Sequence, residues 1–466
     1  MKVLAPLRRG PELPARRTDA DLVVLGVEVA LVAAAVAVGL LLNARGVGLH
    51  ADAAPLYATW RPHLGWGTPA ALLVAAGVLG WGVRWARTAG WGRLLVAGYL
   101  AAVAWTMSLA LVDGWSAGFT RRLTPQAEYL HEVPRVTDVT AMLAGFSARI
   151  LDFQPEAWST HTAGHPPGAL LVFVGLDRIG LGGPTAAALA CVLVGATVTV
   201  SVPVTLRALG AGQAARDVLP FLVLLPGAIW MGVSADGIFT GVVAAGLALL
   251  AVRGLAAAAV GGLLLGFALH LSYGFVLVGV LALAVVALRL RDRWPALLAA
   301  LAGVGTVVAA FTLAGFWWLD GYHLVVERYH QGWAADRPYG YWVWANVAAL
   351  LLCVGPVLGP ALRRTAHASA GPARTVAMRW RRPDRAGMIA LREAGPTVLL
   401  PLAAVLAVGA ADLSGLSKAE VERIWLPFVV WLLVAAAHLP PPAQRFWLAG
   451  QVVTALAVSH LLWTVS

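Results

Sequence analysis

Charge is what this chain has least of. Asp, Glu, Lys and Arg make up 12% of its 466 residues, about half the share found in an ordinary soluble domain. Lysine is nearly missing: Lys2 and Lys418 are the only two, and arginine supplies the rest of the positive charge. Cysteine is confined to Cys191 and Cys353, both inside apolar runs. That excludes a disulfide framework and a cysteine-based metal site. No loop is long enough to fold as a separate soluble domain. The remainder is apolar, with 60% hydrophobic residues and a mean hydropathy of +0.77. A core in water could not hide so much apolar surface, so lipid must be the solvent. The fold class expected is an all-α polytopic membrane protein with one transmembrane domain over residues 1–466.

The net charge of +11 is spread in short arginine runs between apolar stretches, where it orients helices; nucleic acid is not an expected partner. Apolar runs fall at 22–42, 67–83, 94–112, 184–206, 218–235, 237–252, 254–270, 272–288, 296–318, 341–361, 396–411, 424–438 and 446–463. Roughly thirteen crossings follow if each run spans the bilayer. The first run is too long for a signal-peptide core and is read as a span. With the N-terminus in the cytoplasm, 23 of the 34 Lys and Arg lie in cytoplasmic loops and 15 of the 23 Asp and Glu lie outside. The reverse topology would violate the positive-inside tendency. The cell membrane is the expected location. Within the chain, 1–93 holds the N-terminal spans, 94–300 a core with an external loop at 113–167, and 301–466 the C-terminal spans.

One segment, 168–181, is apolar but short and carries Asp177 and Arg178. A full crossing there would invert every later loop, so it is expected to dip into or lie along the outer leaflet. Such a segment survives only against protein or at a cavity. In the external loop, Val139, Met142, Leu143, Phe146 and Ile150 recur at helical spacing behind Thr137 and Asp138 as candidate caps. That predicts an amphipathic helix resting on the membrane surface. The basic stretch 363–394 is expected to be a solvated cytoplasmic loop.

Ionisable residues converge on the external side of this topology. Asp113 follows a span directly, and Glu128 with Tyr129 lies in the loop beyond. His161 and His165 precede Pro166, Pro167 and Gly168. Proline in a first turn loses no helical hydrogen bond and holds the preceding residue extended, aiming His165 off the helix start. The same prolines oppose a helix that would align the two histidines on a metal. Asp236 occupies a tight corner at 234–237; Arg328 and Arg337 share a later external loop; Arg423 precedes the run at 424. Each has a plain structural reading: helix caps or interfacial charges for Asp113 and Asp236, solvated surface for Glu128, helix anchors for the arginines. Glu28 alone lies deep in a span and should face the bundle.

Taken together, a charged first external loop, the sequence His165-Pro-Pro-Gly168 and Asp236 between spans resemble the GT-C glycosyltransferases, polytopic enzymes that use polyprenyl-phosphate sugars. They include protein mannosyltransferases and aminoarabinose transferases. The likeness covers about residues 94–300, with Glu422 and Arg423 beyond it. It implies a GT-C-like fold and a catalytic base at Asp113. The family's Asp-Glu pair is Asp113-Gly114 here, which leaves Glu128 as the alternative base.

The implied chemistry is coherent from below. A carboxylate takes the acceptor hydroxyl's proton, and arginines grip the departing phosphate. Asp113 or Glu128 would be the base; His165, Arg328, Arg337 and Arg423 would bind the donor and its phosphate; Tyr129, His161 and Asp236 would support them. The partners implied are a polyprenyl-phosphate-linked sugar donor, a lipid, glycan or protein acceptor, and the bilayer. No metal site is expected and no cofactor is required, although a divalent cation (Mg or Mn) is compatible with the carboxylates. The alternative is a multi-pass transporter or lipid flippase of the cell envelope, against which stand the absence of an internal repeat and charges gathered at one face. A non-catalytic scaffold would leave the external carboxylates individually dispensable.

Overall fold

The computed structural model describes residues 16–289, 292–378, 390 and 393–464. It is mostly helical, with a single short antiparallel pair of strands, β1 (Ala58–Trp60) and β2 (Leu462–Thr464), among the described residues. Six helices are long and apolar enough to cross a membrane: Asp19–Ala44, Gly67–Thr88, Trp91–Ala110, Pro184–Ala208, Arg293–Leu313 and Pro396–Leu413. A seventh span results if Tyr339–Val354 and Leu358–Gly371, bent by 97° at their junction, count as one. The apolar helices Ala235–Ala251, Leu255–Leu269, Tyr273–Leu288 and Leu426–His438 are shorter. Trp91–Ala110, at 20 residues, is about 30 Å long, the thickness of the hydrocarbon layer.

Burial sorts these helices. Only 17% of the most apolar window of Asp19–Ala44 is covered by protein, against 61% for Pro184–Ala208. The first is a peripheral, lipid-facing helix and the second runs through the bundle. Leu255–Leu269 and Arg293–Leu313 pack backbone to backbone: a Cβ on Gly262 would sit 2.1 Å from the Ala300 carbonyl oxygen, and one on Gly303 2.3 Å from that of Ala259. Small residues permit this approach where lipid-phase packing supplies the attraction.

Several apolar runs are not single helices. Residues 218–235 divide into the end of helix Gly212–Val223, a turn Ala228–Met231 and the start of Ala235–Ala251. Pro226 lacks an N–H to continue a helix, and the Gly227 N–H donates instead to the Cys353 carbonyl (2.8 Å). The Cys353 end of its helix is itself broken at Gly355, whose φ of +92° suits glycine. Residues 424–438 form a short α-helix, Leu426–Leu432, and a 3-10 stretch, Leu433–His438. A Cβ on Gly227 would touch both Cys353 and Leu426, so the three breaks meet. Irregular backbone of this kind is sustained by burial in protein.

Other local expectations need revision. The helix behind Asp138 is only Val139–Ala144, although Asp138 does cap it, accepting from the Thr140 N–H at 2.8 Å and the Ala141 N–H at 3.1 Å. Its apolar neighbours do not lie on a membrane surface: Phe146 and Ile150 are buried, and Phe146 packs on Trp158 and Phe316. The basic stretch from 363 begins as helix Leu358–Met378, with Arg363 and Arg364 both paired to Asp21 of the first helix; residues 379–389, 391 and 392 lie outside the described residues. Glu28 faces inward as expected, accepting from the Gly359 N–H at the start of that helix. The short segment is a helix, Gly168–Leu176, extended by a π-turn, Asp177–Leu181. A Cβ on Gly168 would collide with the His270 carbonyl at 2.4 Å, so the helix start is seated tightly in the bundle.

Candidate functional site

Four separate stretches bring their polar side chains to one buried cluster. Glu128 precedes the 3-10 turn Tyr129–His131 and is paired through Oε1 with His161 Nδ1 at 2.9 Å. His161 belongs to the short helix Thr160–Gly164, which His165 ends in an extended conformation (φ −128°, ψ 155°) ahead of the two prolines. Asp236 lies in the first turn of Ala235–Ala251. Arg423 lies in Val421–Ile424 and donates to Glu420 Oε2 at 2.8 Å, with Asp236 Oδ2 at 3.8 Å.

Partners fix the histidine tautomers. Arg423 Nη2 stands 3.4 Å from His161 Nε2. A guanidinium only donates, so Nε2 accepts and the Nδ1 proton goes to Glu128. His165 Nδ1 is 2.8 Å from the His161 carbonyl oxygen, which only accepts, and 2.9 Å from the Tyr129 hydroxyl. Its proton is therefore on Nδ1 and Nε2 carries the lone pair. Burial pushes His165 down to about 4, partly opposed by Asp236, so the ring is neutral near pH 7.

Charge and burial compete at the other groups. Burial works against ionisation of Glu128, but the hydrogen bond from His161 and the charge of Arg423 outweigh it and hold the carboxyl below its ordinary value. Glu420 behaves alike: burial is overcome by Arg423, Arg337 and His161. Arg423 is destabilised as a cation by burial, and Glu420, Asp236 and Glu128 more than reverse that, raising its pKa. Tyr129 is held well above its usual value by burial and by the nearby carboxylates, so it stays a phenol. Glu422 has a partner of its own: its Oε1 accepts from the Tyr57 N–H at 2.9 Å, its Oε2 is buried without a partner, and burial raises it to about 7.

Compared with protein-family models, curated proteins and solved structures, the chain matches none.

Of the residues singled out in the sequence, Glu128, Tyr129, His161, His165, Asp236 and Arg423 come together. Arg337 joins them through Glu420, at 3.5 Å, while donating to the carbonyls of Leu49, His50 and Lys418. Asp236 is not the open corner its sequence implied; it is buried, and a Cβ on Gly237 beside it would meet the Cys191 carbonyl. Asp113 belongs to a neighbouring group, with Oδ1 2.7 Å from His63 Nε2 and Oδ2 2.8 Å from Arg122 Nη2. Arg122, lowered by burial, also feels the charge of Glu128, which links the two groups electrostatically. Arg328 stands apart: it donates to the carbonyls of Ile150 (2.8 Å) and Trp158 (3.3 Å) and pairs with Asp152, pinning the 150–158 stretch.

His63 had no sequence signal of its own, being a lone histidine in a loop. Glu420 stands before the apolar run at 424 with nothing local to set it apart from Glu422. A cleft of about 270 Å³ lined by Leu130, His131, Val133, Pro134 and Asp177 among others shares none of the cluster's residues. Among the described residues no three His, Cys, Asp or Glu side chains are grouped to hold a metal ion. What the cluster offers chemically is an ionised carboxylate, a neutral imidazole and a charge-compensated arginine held close together.

Proposed function

We propose that the protein is a membrane glycosyltransferase of the GT-C kind, moving a sugar from a polyprenyl-phosphate donor to an acceptor at the extracytoplasmic face. The reading includes roughly thirteen crossings, the shorter apolar helices being counted as spans, with the N-terminus in the cytoplasm and the enzyme in the cell membrane. The observation that carries it is the Glu128 group: a carboxylate held ionised and oriented by His161, beside Arg423, His165 and Asp236. A general base needs that protonation state and a fixed direction. Glu128 is the better base of the two carboxylates, because each oxygen of Asp113 already has its own cationic or hydrogen-bonding partner. Asp113 then holds the loop that carries Glu128. His165 Nε2 is an acceptor suited to a sugar hydroxyl, and Arg423 with Arg337 faces the departing phosphate. The acceptor is a lipid, a glycan or a protein hydroxyl, and no cofactor is needed for the step, which a divalent cation would assist through the phosphate.

The test is transfer of labelled sugar from a polyprenyl-phosphate donor by the purified protein in liposomes. Glu128→Gln is expected to abolish transfer while Asp113→Asn reduces it through the loop. Full activity in both variants would overturn the assignment of the base.

A second reading, a transporter or lipid flippase, is favoured by one feature. Three broken apolar helices meet at Gly227, Cys353 and Leu426, and Glu28 lies in a span against the helix after the 97° bend. Discontinuous helices with an intramembrane carboxyl are common in transporters. Uptake of an unmodified substrate by the same liposomes would reverse the ranking.

A further inference from the structure

We propose that Glu420 is an internal stand-in for phosphate, occupying an anion seat formed by Arg337 and Arg423 until the phosphate of a polyprenyl-phosphate ester displaces it. The proposal rests on the donor chemistry given above.

The two oxygens of Glu420 are taken by different arginines: Oε2 by Arg423 Nη2 at 2.8 Å and Oε1 by Arg337 Nη1 at 3.5 Å. A carboxylate shared between two guanidinium groups marks a place where a phosphate, with more acceptor oxygens, would be held in the same way.

The seat is rigid. Arg337 is buried, donates to the carbonyls of Leu49, His50 and Lys418, and packs over the rings of Trp333 (4.7 Å) and Tyr57 (5.5 Å). Arg423 is 9% exposed, and its Nε is buried with no hydrogen-bond partner, a donor still to be satisfied. The occupant is less confined: the Glu420 side chain is 21% exposed, more than either arginine. Its backbone is anchored, because the Glu420 carbonyl accepts from the N–H groups of Arg423 and Ile424. The side chain can therefore swing out while the seat keeps its shape.

Charge points the same way. Arg423 faces Asp236 and Glu128 as well as Glu420, one carboxylate more than Arg337 and Arg423 together need. A phosphate arriving with Glu420 in place would meet that surplus; with Glu420 turned away it replaces one anion by another. His161 also touches Arg423, so a phosphate in this seat would lie within one side chain of Glu128.

The consequence is competition between an internal and an external anion. If Glu420 fills the seat in about nine-tenths of the molecules, removing its charge should tighten phosphate-ester binding about tenfold. The experiment measures the affinity of the full chain, in nanodiscs of uncharged lipid, for farnesyl phosphate and for inorganic phosphate, in the wild type and in Glu420→Gln. The expected result is tighter farnesyl phosphate binding by the variant, a larger thermal shift on adding it, and weak binding of inorganic phosphate by both. Unchanged or weaker binding by a folded Glu420→Gln overturns the stand-in. Should that variant not fold, Glu420→Asp decides, and it too must bind more tightly than the wild type. Inorganic phosphate binding as well as the ester would overturn the lipid source. Failure of the donor chemistry itself is read separately, as no sugar transfer by the wild type from any polyprenyl-phosphate donor.

Discussion

Glu422→Gln should stabilise the protein in mildly alkaline buffer and leave it nearly unchanged in acid. The Glu422 side chain is 2% exposed, has one hydrogen bond, from the Tyr57 N–H, and keeps Oε2 buried without a partner. Burial carries its pKa from 4.5 to about 7. A folded-state value above the unfolded one means the carboxyl is neutral in the fold at pH 5 and must ionise in place, or stay protonated at a penalty, above pH 7. The stability it contributes is complete below 4.5 and is lost as pH rises to about 7. The full loss is about 3 kcal/mol. Glutamine keeps the oxygen that faces Tyr57 and removes the titration. The expected melting-temperature gain over the wild type is about 3 °C at pH 8 for a chain of this length, and about a quarter of that at pH 5. The assay is thermal unfolding in nanodiscs at both pH values. An equal shift at pH 5 and pH 8, or a loss at pH 8, would refute the claim that an uncompensated carboxyl sits beside the cluster.

Glu128→Gln keeps the hydrogen bond from His161 but loses the base, and sugar transfer should fall by about 10²–10⁴-fold with the melting temperature within a few degrees of the wild type. His165 gives the opposite pH slope from Glu422: its pKa falls from 6.5 to about 4 on folding, so its contribution is complete above 6.5 and is lost as pH drops towards 4, by at most about 3 kcal/mol. His165→Gln should flatten that acid limb in thermal melts. Gly262→Ala places a methyl 2.1 Å from the Ala300 carbonyl; forcing the two helices apart should cost about 1–3 kcal/mol, read as lowered resistance to unfolding in detergent. Asp21→Asn leaves Arg363 and Arg364 without their shared carboxylate and should destabilise by about 3–5 kcal/mol, measured the same way.

The site was partly legible before the structure. Proline after His165 announced an extended residue at a helix start, because a fixed ring geometry acts on its immediate neighbour, and the backbone there is extended. Glu128, Tyr129, His161, Asp236 and Arg423 stood out as ionisable or polar groups at the ends of apolar runs, where such groups gather. Their pairing was not legible. Asp113 and Glu128 looked alike as external carboxylates, yet one is gripped by His63 and Arg122 and the other is oriented by His161. His63 lies 50 residues from Asp113, with no periodicity to connect them. The helix breaks at 224–227 and 355 were hidden for a related reason: hydropathy counts apolar side chains and is blind to where a backbone N–H finds its acceptor.

Composition alone determined that lipid surrounds this chain, since the apolar fraction exceeds what any core in water could bury. The same patterning marked where helices run and which few charged residues must face protein, because those are local or additive properties of the sequence. Which carboxylate meets which cation was decided only in three dimensions. Ion pairing in a buried cluster depends on distances of a few ångströms between groups hundreds of residues apart, and such distances exist only once the helices have packed.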